Sequence, residues 1–191
     1  MNKINAIILS ALLATGGIQA ADTVANDWDS LPRLEADAKK GNVYALAKLG
    51  TTYLKGTVVS QDVAKGIQLI TQSADGGLRE AQELLGKAYA QGLFDLKEDD
   101  REAAKWFRMA AEQGSASAAM RTSELYFDGK GTPLDAYFWA LIAEKLGYAD
   151  PAIANATAAN REVYGRKLSA AQRRKLEAEA IAWQPRVTLA K

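Results

Sequence analysis

Three stretches of this chain nearly repeat one another: LGTTYLKG at 49–56, LGKAYAQG at 85–92 and TSELYFDG at 122–129. Tyr53, Tyr89 and Tyr126 stand 36 and 37 residues apart, and Gly56, Gly92 and Gly129 keep the same spacings. A period of that length restricts the fold more than any other feature of the chain. One unit of this size is a single supersecondary motif that cannot bury its own apolar face. It becomes stable only when neighbouring units stack on it.

Each unit reads as two helices. Beyond Asp27 helical signals are nearly continuous, and no stretch sustains the period-two alternation of a strand. A first short helix is expected over Leu31–Lys40, entered at Ser30 and stopped by Gly41. The repeats then predict helix pairs at 43–55 and 62–76, at 79–91 and 100–113, and at 116–127 and 133–146. Gly56, Gly92 and Gly129 suit left-handed C-caps. Asp99 with Glu102 fits a capping box, and Thr132-Pro133-Leu134-Asp135 joins an N-cap, a first-turn proline and an acid three residues on. Asp150-Pro151 opens a further helix, and Ser169 with Gln172 opens the last one, which runs to Trp183 before Pro185.

Small residues recur at fixed places between the units. Ala45, Ala81 and Ala118 each follow a glycine by four, and Gly50, Gly86 and Ser123 align. A glycine inside a helix costs about 1 kcal/mol relative to alanine. Its presence at 50 and 86 therefore predicts that another helix comes close there, with the aligned Leu69, Trp106 and Trp139 filling the space alongside.

Composition narrows the chemistry. The chain has no Cys and no His, which excludes a Ser-His-Asp triad, a thiolate nucleophile and a His- or Cys-ligated metal site, and no cofactor is expected. The first twenty residues read as a secretory signal peptide: Lys3, a largely apolar run over 4–14, then small residues up to Ala20-Ala21. Without residues 1–20, 23 basic residues face 23 acidic ones. That balance gives no electrostatic reason to expect nucleic acid or an anionic membrane surface as partner. After cleavage the protein is expected to be periplasmic or secreted, monomeric, and without stable membrane insertion.

With these positions in view, the chain resembles the Sel-one-like repeat (SLR) family, relatives of the tetratricopeptide repeats. The second unit carries the pattern most fully, through Ala81, Leu85, Gly86, Tyr89, Gly92, Asp99, Ala103, Trp106, Ala110, Ala111 and Gly114. The first matches through Ala45, Leu49, Gly50, Tyr53, Gly56, Asp62, Ala74 and Gly77. The third keeps Ala118, Tyr126, Gly129, Ala136, Trp139 and Gly147 but has Ser123 for the glycine and a shorter loop. The resemblance implies an all-α fold, a right-handed α/α superhelical solenoid of about three helix pairs, with an N-terminal helix and a C-terminal helical cap. On that reading residues 1–20 are the signal peptide, 21–29 a linker, 30–149 the repeats, 150–184 the cap and 185–191 a loose tail.

The same resemblance implies a non-catalytic module that binds another protein or peptide on a concave face lined by the first helix of each pair. Helical spacing then nominates Tyr44, Thr51 and Lys55 in the first unit, and Glu80, Glu83, Lys87 and Gln91 in the second. In the third it nominates Met120, Arg121, Glu124 and Phe127, with Tyr44, Met120 and Phe127 as apolar anchors. Some secreted SLR proteins neutralise a toxic effector, such as a type VI secretion phospholipase, so an immunity protein is the alternative. Others are linked to β-lactam binding or hydrolysis, but those carry paired cysteines that this chain lacks.

Two competing site readings are weaker. Glu98, Asp99 and Asp100 lack the alternating acidic positions and glycine of a calcium loop, and capping already accounts for Asp99. Trp28, Trp106, Trp139 and Trp183 fall at packing positions, which leaves less ground for a sugar-stacking platform.

Overall fold

The computed structural model describes residues 30–186. The expected signal peptide, the linker with Trp28, and residues 187–191 lie outside the described residues. Helices account for all the regular structure among those described: α1 (Leu31–Lys39), α2 (Val43–Lys55), α3 (Val63–Asp75), α4 (Arg79–Gln91), α5 (Asp100–Glu112), α6 (Ala116–Leu125), α7 (Pro133–Leu146), α8 (Pro151–Gly165) and α9 (Ala170–Ala182). From α1 to α8 each helix packs on the next, and α9 returns to pack on α7. This is the α/α solenoid that the period predicts, in three hairpins: α2–α3, α4–α5 and α6–α7.

The hairpin turns follow from backbone geometry. Gly56 and Gly92 end α2 and α4 in the left-handed region, at φ 66° and 59°. The chain then loops back to an acidic N-cap. The Asp62 side chain accepts from the Lys65 N–H, and the Asp99 side chain from the Arg101 and Glu102 N–H groups. Asp62 and Asp99 donate their own backbone N–H to the carbonyls of Tyr53 and Tyr89, at 3.1 and 2.9 Å. That bond corrects one expectation. Because Tyr89 already takes the Asp99 N–H, Glu102 does not complete a capping box and pairs with Lys105 at 3.2 Å instead. In the third unit the loop is shorter, and Thr132 and Asp135 do form the reciprocal box. Ser169 and Gln172 form the other.

The third unit also departs at its first turn. Helix α6 stops at Leu125, two residues early, and a wider turn over Tyr126–Lys130 carries Gly129 at φ 95°. Buried side chains run continuously along the hairpins. Leu85, Ile70 and Ile142 are at most 1% exposed, and burying a side chain of this size stabilises by about 1.5–3 kcal/mol.

The small residues act as expected, but the covering side chain lies one position further on. A Cβ at Gly50 would stand 2.9 Å from the Gly66 carbonyl oxygen and 2.9 Å from the Ile70 side chain. One at Gly86 would stand 2.8 Å from the Phe107 ring. Ile70 and Phe107, rather than Leu69 and Trp106, therefore fill these contacts. Trp106 is buried in the cluster that joins the first two hairpins, with Leu54, Ile70 and Leu85. In the third unit the aligned pair is Ser123 and Ala140, so a larger residue on one helix accompanies a smaller one on the other.

Past the repeats, α9 spreads its apolar residues around its circumference, with only Ala180 fully buried. Specific contacts hold it in place. Lys145 of α7 donates to the carbonyls of Ala180, Ile181 and Trp183 at 3.0, 2.8 and 2.6 Å. Tyr137 donates to Glu177 at 2.9 Å, and Trp183 meets Trp139 edge-on at 6.3 Å. Of the residues read as tail, Pro185 lies over Gly114, and the Arg186 N–H donates to the Glu112 carbonyl at 2.7 Å.

Candidate interaction groove

The first helices of the three hairpins, α2, α4 and α6, bring most of the nominated residues onto one strip. Tyr44, Thr51 and Lys55 border a shallow depression that reaches Leu78 and Glu80 at the start of α4. Glu80 also borders a deeper groove of about 730 Å³ between α4 and α6, so the two depressions share it as a common wall. Glu83, Lys87, Gln91, Met120, Arg121 and Glu124 all line that groove.

Phe127 does not belong to the strip. The wide turn after Leu125 carries it to the cap, where it stacks on Tyr164 with ring centroids 4.2 Å apart. The Lys167 ammonium covers the same ring at 4.3 Å. Phe127 therefore packs between the third hairpin and the cap, outside the groove lining, rather than on the strip where helical spacing put it.

Other lining residues escaped the sequence reading. Leu84, Phe107, Asp128 and Ile153 complete the groove wall, Ile153 from the first turn of α8. Leu84 follows Glu80 by four and precedes Lys87 by three, so helical spacing alone places it on the face already nominated. Ile153 carries no such signal, because only the path of the cap brings α8 opposite α6.

The groove's charges divide into satisfied and unsatisfied groups. Arg121 pairs with Glu124 at 2.9 Å, Glu80 with Arg79 at 3.0 Å, and Asp100 with Lys130 at 3.0 Å. Glu83, half-buried, has no partner among the described residues, and neither have Lys87 and Asp128. Between these charges lie Leu84, Phe107, Met120 and Ile153. The tyrosines whose pKa values rise through burial lie outside the groove lining. Such a surface sets apolar area and charge side by side within one concave strip.

The helix pairs coincide with three Sel1 repeats, matched at residues 43–78, 79–115 and 116–148. The chain belongs to the Sel1 repeat family. Each matched repeat begins at the first residue of α2, α4 or α6, or beside it, and closes just past the turn that leads out of its second helix. Among solved structures, the Sel1 repeat chain is similar to a Sel1 repeat protein from Oxalobacter formigenes. The identity is 26% and the TM-score 0.59, covering 69% of this chain and 96% of that one. It is also similar, at 28% identity and TM-score 0.58, to a protective antigen present in uropathogenic Escherichia coli strains that displays an SLR fold. That match covers 80% of this chain and 32% of the antigen, so the Sel1 repeat chain spans about a third of its length. A search of curated proteins found no match. Sel1 repeat solenoids are typically protein-interaction scaffolds.

Proposed function

We propose that this Sel1 repeat chain is an exported, non-catalytic module that binds another protein through the strip formed by α2, α4 and α6. The observation that supports the reading most directly is the groove itself. Unpaired Glu83 and Lys87 stand beside Met120 and Ile153 at a junction of two repeats, where a partner finds both apolar area and unsatisfied charge. Export rests on the signal-peptide pattern of residues 1–20.

A pull-down from a periplasmic extract, run in parallel with the Glu83→Ala/Lys87→Ala/Met120→Ala variant, tests the reading. A partner retained by the native chain and lost by the folded variant is the expected result. Retention by both removes the strip as the binding surface. Export is checked on the same preparation, where the mature chain is expected to begin near residue 21; full-length protein confined to the cytoplasm overturns that part.

A narrower form of the reading is an immunity protein whose partner is a secreted effector toxin. It predicts that the purified chain lowers the toxin's activity in proportion to complex formed. A co-purifying toxin that stays fully active removes this form and leaves the scaffold.

A further inference from the structure

The chain as a whole is close to neutral, with 24 basic and 23 acidic residues, but the groove is not. Glu80, Glu83, Asp100, Glu124 and Asp128 line it against only Lys87 and Arg121. Arg121 is already engaged by Glu124 at 2.9 Å. Two carboxylates, Glu83 and Asp128, are left without any partner among the described residues, and Glu83 is half-buried.

A carboxylate partly withdrawn from water and unpaired is costly unless something cationic meets it, and an apolar wall beside it raises the strength of any charge pair formed there. Leu84, Phe107, Met120 and Ile153 supply that wall. They come from α4, α5, α6 and α8, so the groove reads one face of a bound segment rather than a single side chain. Its volume of about 730 Å³ accommodates several side chains.

On these grounds, and resting on the protein-binding reading above, we propose that the groove between α4 and α6 receives a short basic amphipathic segment of the partner protein. The segment's apolar side chains lie against Met120, Leu84 and Ile153, and a Lys or Arg beside them meets the Glu83 carboxylate. Asp128, in the wide turn after α6, holds a second cation. Lys87 stands one turn from Glu83 on α4 and disfavours a cation further along that helix, so the register of the segment is fixed by charge as well as by shape.

Selection of short random peptides displayed against the purified full chain tests this. Peptides enriched on the native protein are expected to carry net positive charge and at least one large apolar residue. They are expected to bind Glu83→Lys about tenfold more weakly than the native chain, and Met120→Asp at least as weakly. Repeating the selection on Glu83→Lys is expected to lower the net positive charge of the enriched peptides, since four carboxylates then face three cations. Circular dichroism and an unchanged unfolding midpoint establish that both variants are folded.

Enrichment of neutral or acidic peptides on the native chain overturns the basic-segment assignment. If those peptides are nevertheless lost with Met120→Asp, the groove remains a binding surface and only its partner chemistry is wrong. Peptides indifferent to both substitutions, or no enrichment at all, overturn this inference together with the reading it rests on.

Discussion

Phe107 of α5 lies over Gly86 of α4 so closely that a Cβ added there would stand 2.8 Å from the ring. The contact fixes how near the two helices of the second hairpin approach, and it explains a glycine in the middle of a helix. Replacing Gly86 with alanine gains about 1 kcal/mol of helix propensity but overpacks a filled site, at a cost of about 1–3 kcal/mol. Net destabilisation is expected, read as a lower urea midpoint. The deficit shrinks when Phe107→Leu makes room, and a double-mutant cycle measures the coupling. A Gly86→Ala chain as stable as the native one refutes the contact.

Gln82 is 1% exposed and joins two repeats. Its Nε2 donates to the Ala74 carbonyl at 3.0 Å, and its Oε1 accepts from Gln113, which also donates to the Gly77 carbonyl. Changing Gln82 to Leu leaves the Ala74 carbonyl and the Gln113 amide short of partners in a closed environment. A loss of about 1–3 kcal/mol is expected in chemical denaturation, well above the effect of Gln91→Leu on the exposed strip.

Lys145 closes the open end of α9 by donating to three carbonyls, where its charge also opposes the negative end of the helix. Lys145→Met keeps the stem and removes the donors. The expected outcome is local: faster amide hydrogen exchange in α9 and a changed Trp183 emission, with α2–α6 unaffected. Uniform loss of protection along the whole solenoid contradicts a capping role.

Burial raises the phenol pKa of Tyr164 from 10.0 to about 12, and also raises those of Tyr126, Tyr137 and Tyr148. Between the unfolded and folded values the native chain keeps its phenolic protons while the unfolded chain has released them. Stability is therefore fully present below about pH 10 and falls as pH rises towards about 12. A series of urea midpoints across that window is expected to decline, in step with tyrosinate absorbance, and Tyr164→Phe is expected to flatten the decline. A flat native profile removes the effect.

Much of the architecture was readable from short-range chemistry. The bounds of α2 and α7 follow from a glycine at one end and a cap or proline at the other, and the end of α4 from Gly92, because those residues act on the backbone of their own turn. Strip residues Glu80, Lys87 and Gln91 were readable in the same way, since spacing along one helix fixes which side chains share a face. Phe127 was misplaced for a reason equally local in origin. The helix was taken to continue to 127, whereas it widens after Leu125, and a change of turn geometry rotates every later side chain.

The sequence by itself determined the period, the helix pairs and the family, because each depends on residues a few positions apart and on their recurrence. Only the tertiary structure decided that Ile70 and Phe107, one residue past the expected positions, cover Gly50 and Gly86. Adjacent buried positions are equivalent to a pattern and distinguishable only by the angle at which two helices cross. It alone placed Ile153 against α6, left Glu83 unpaired and set Lys145 under α9. These are contacts between groups far apart in the chain, and their distances are fixed by how the hairpins stack.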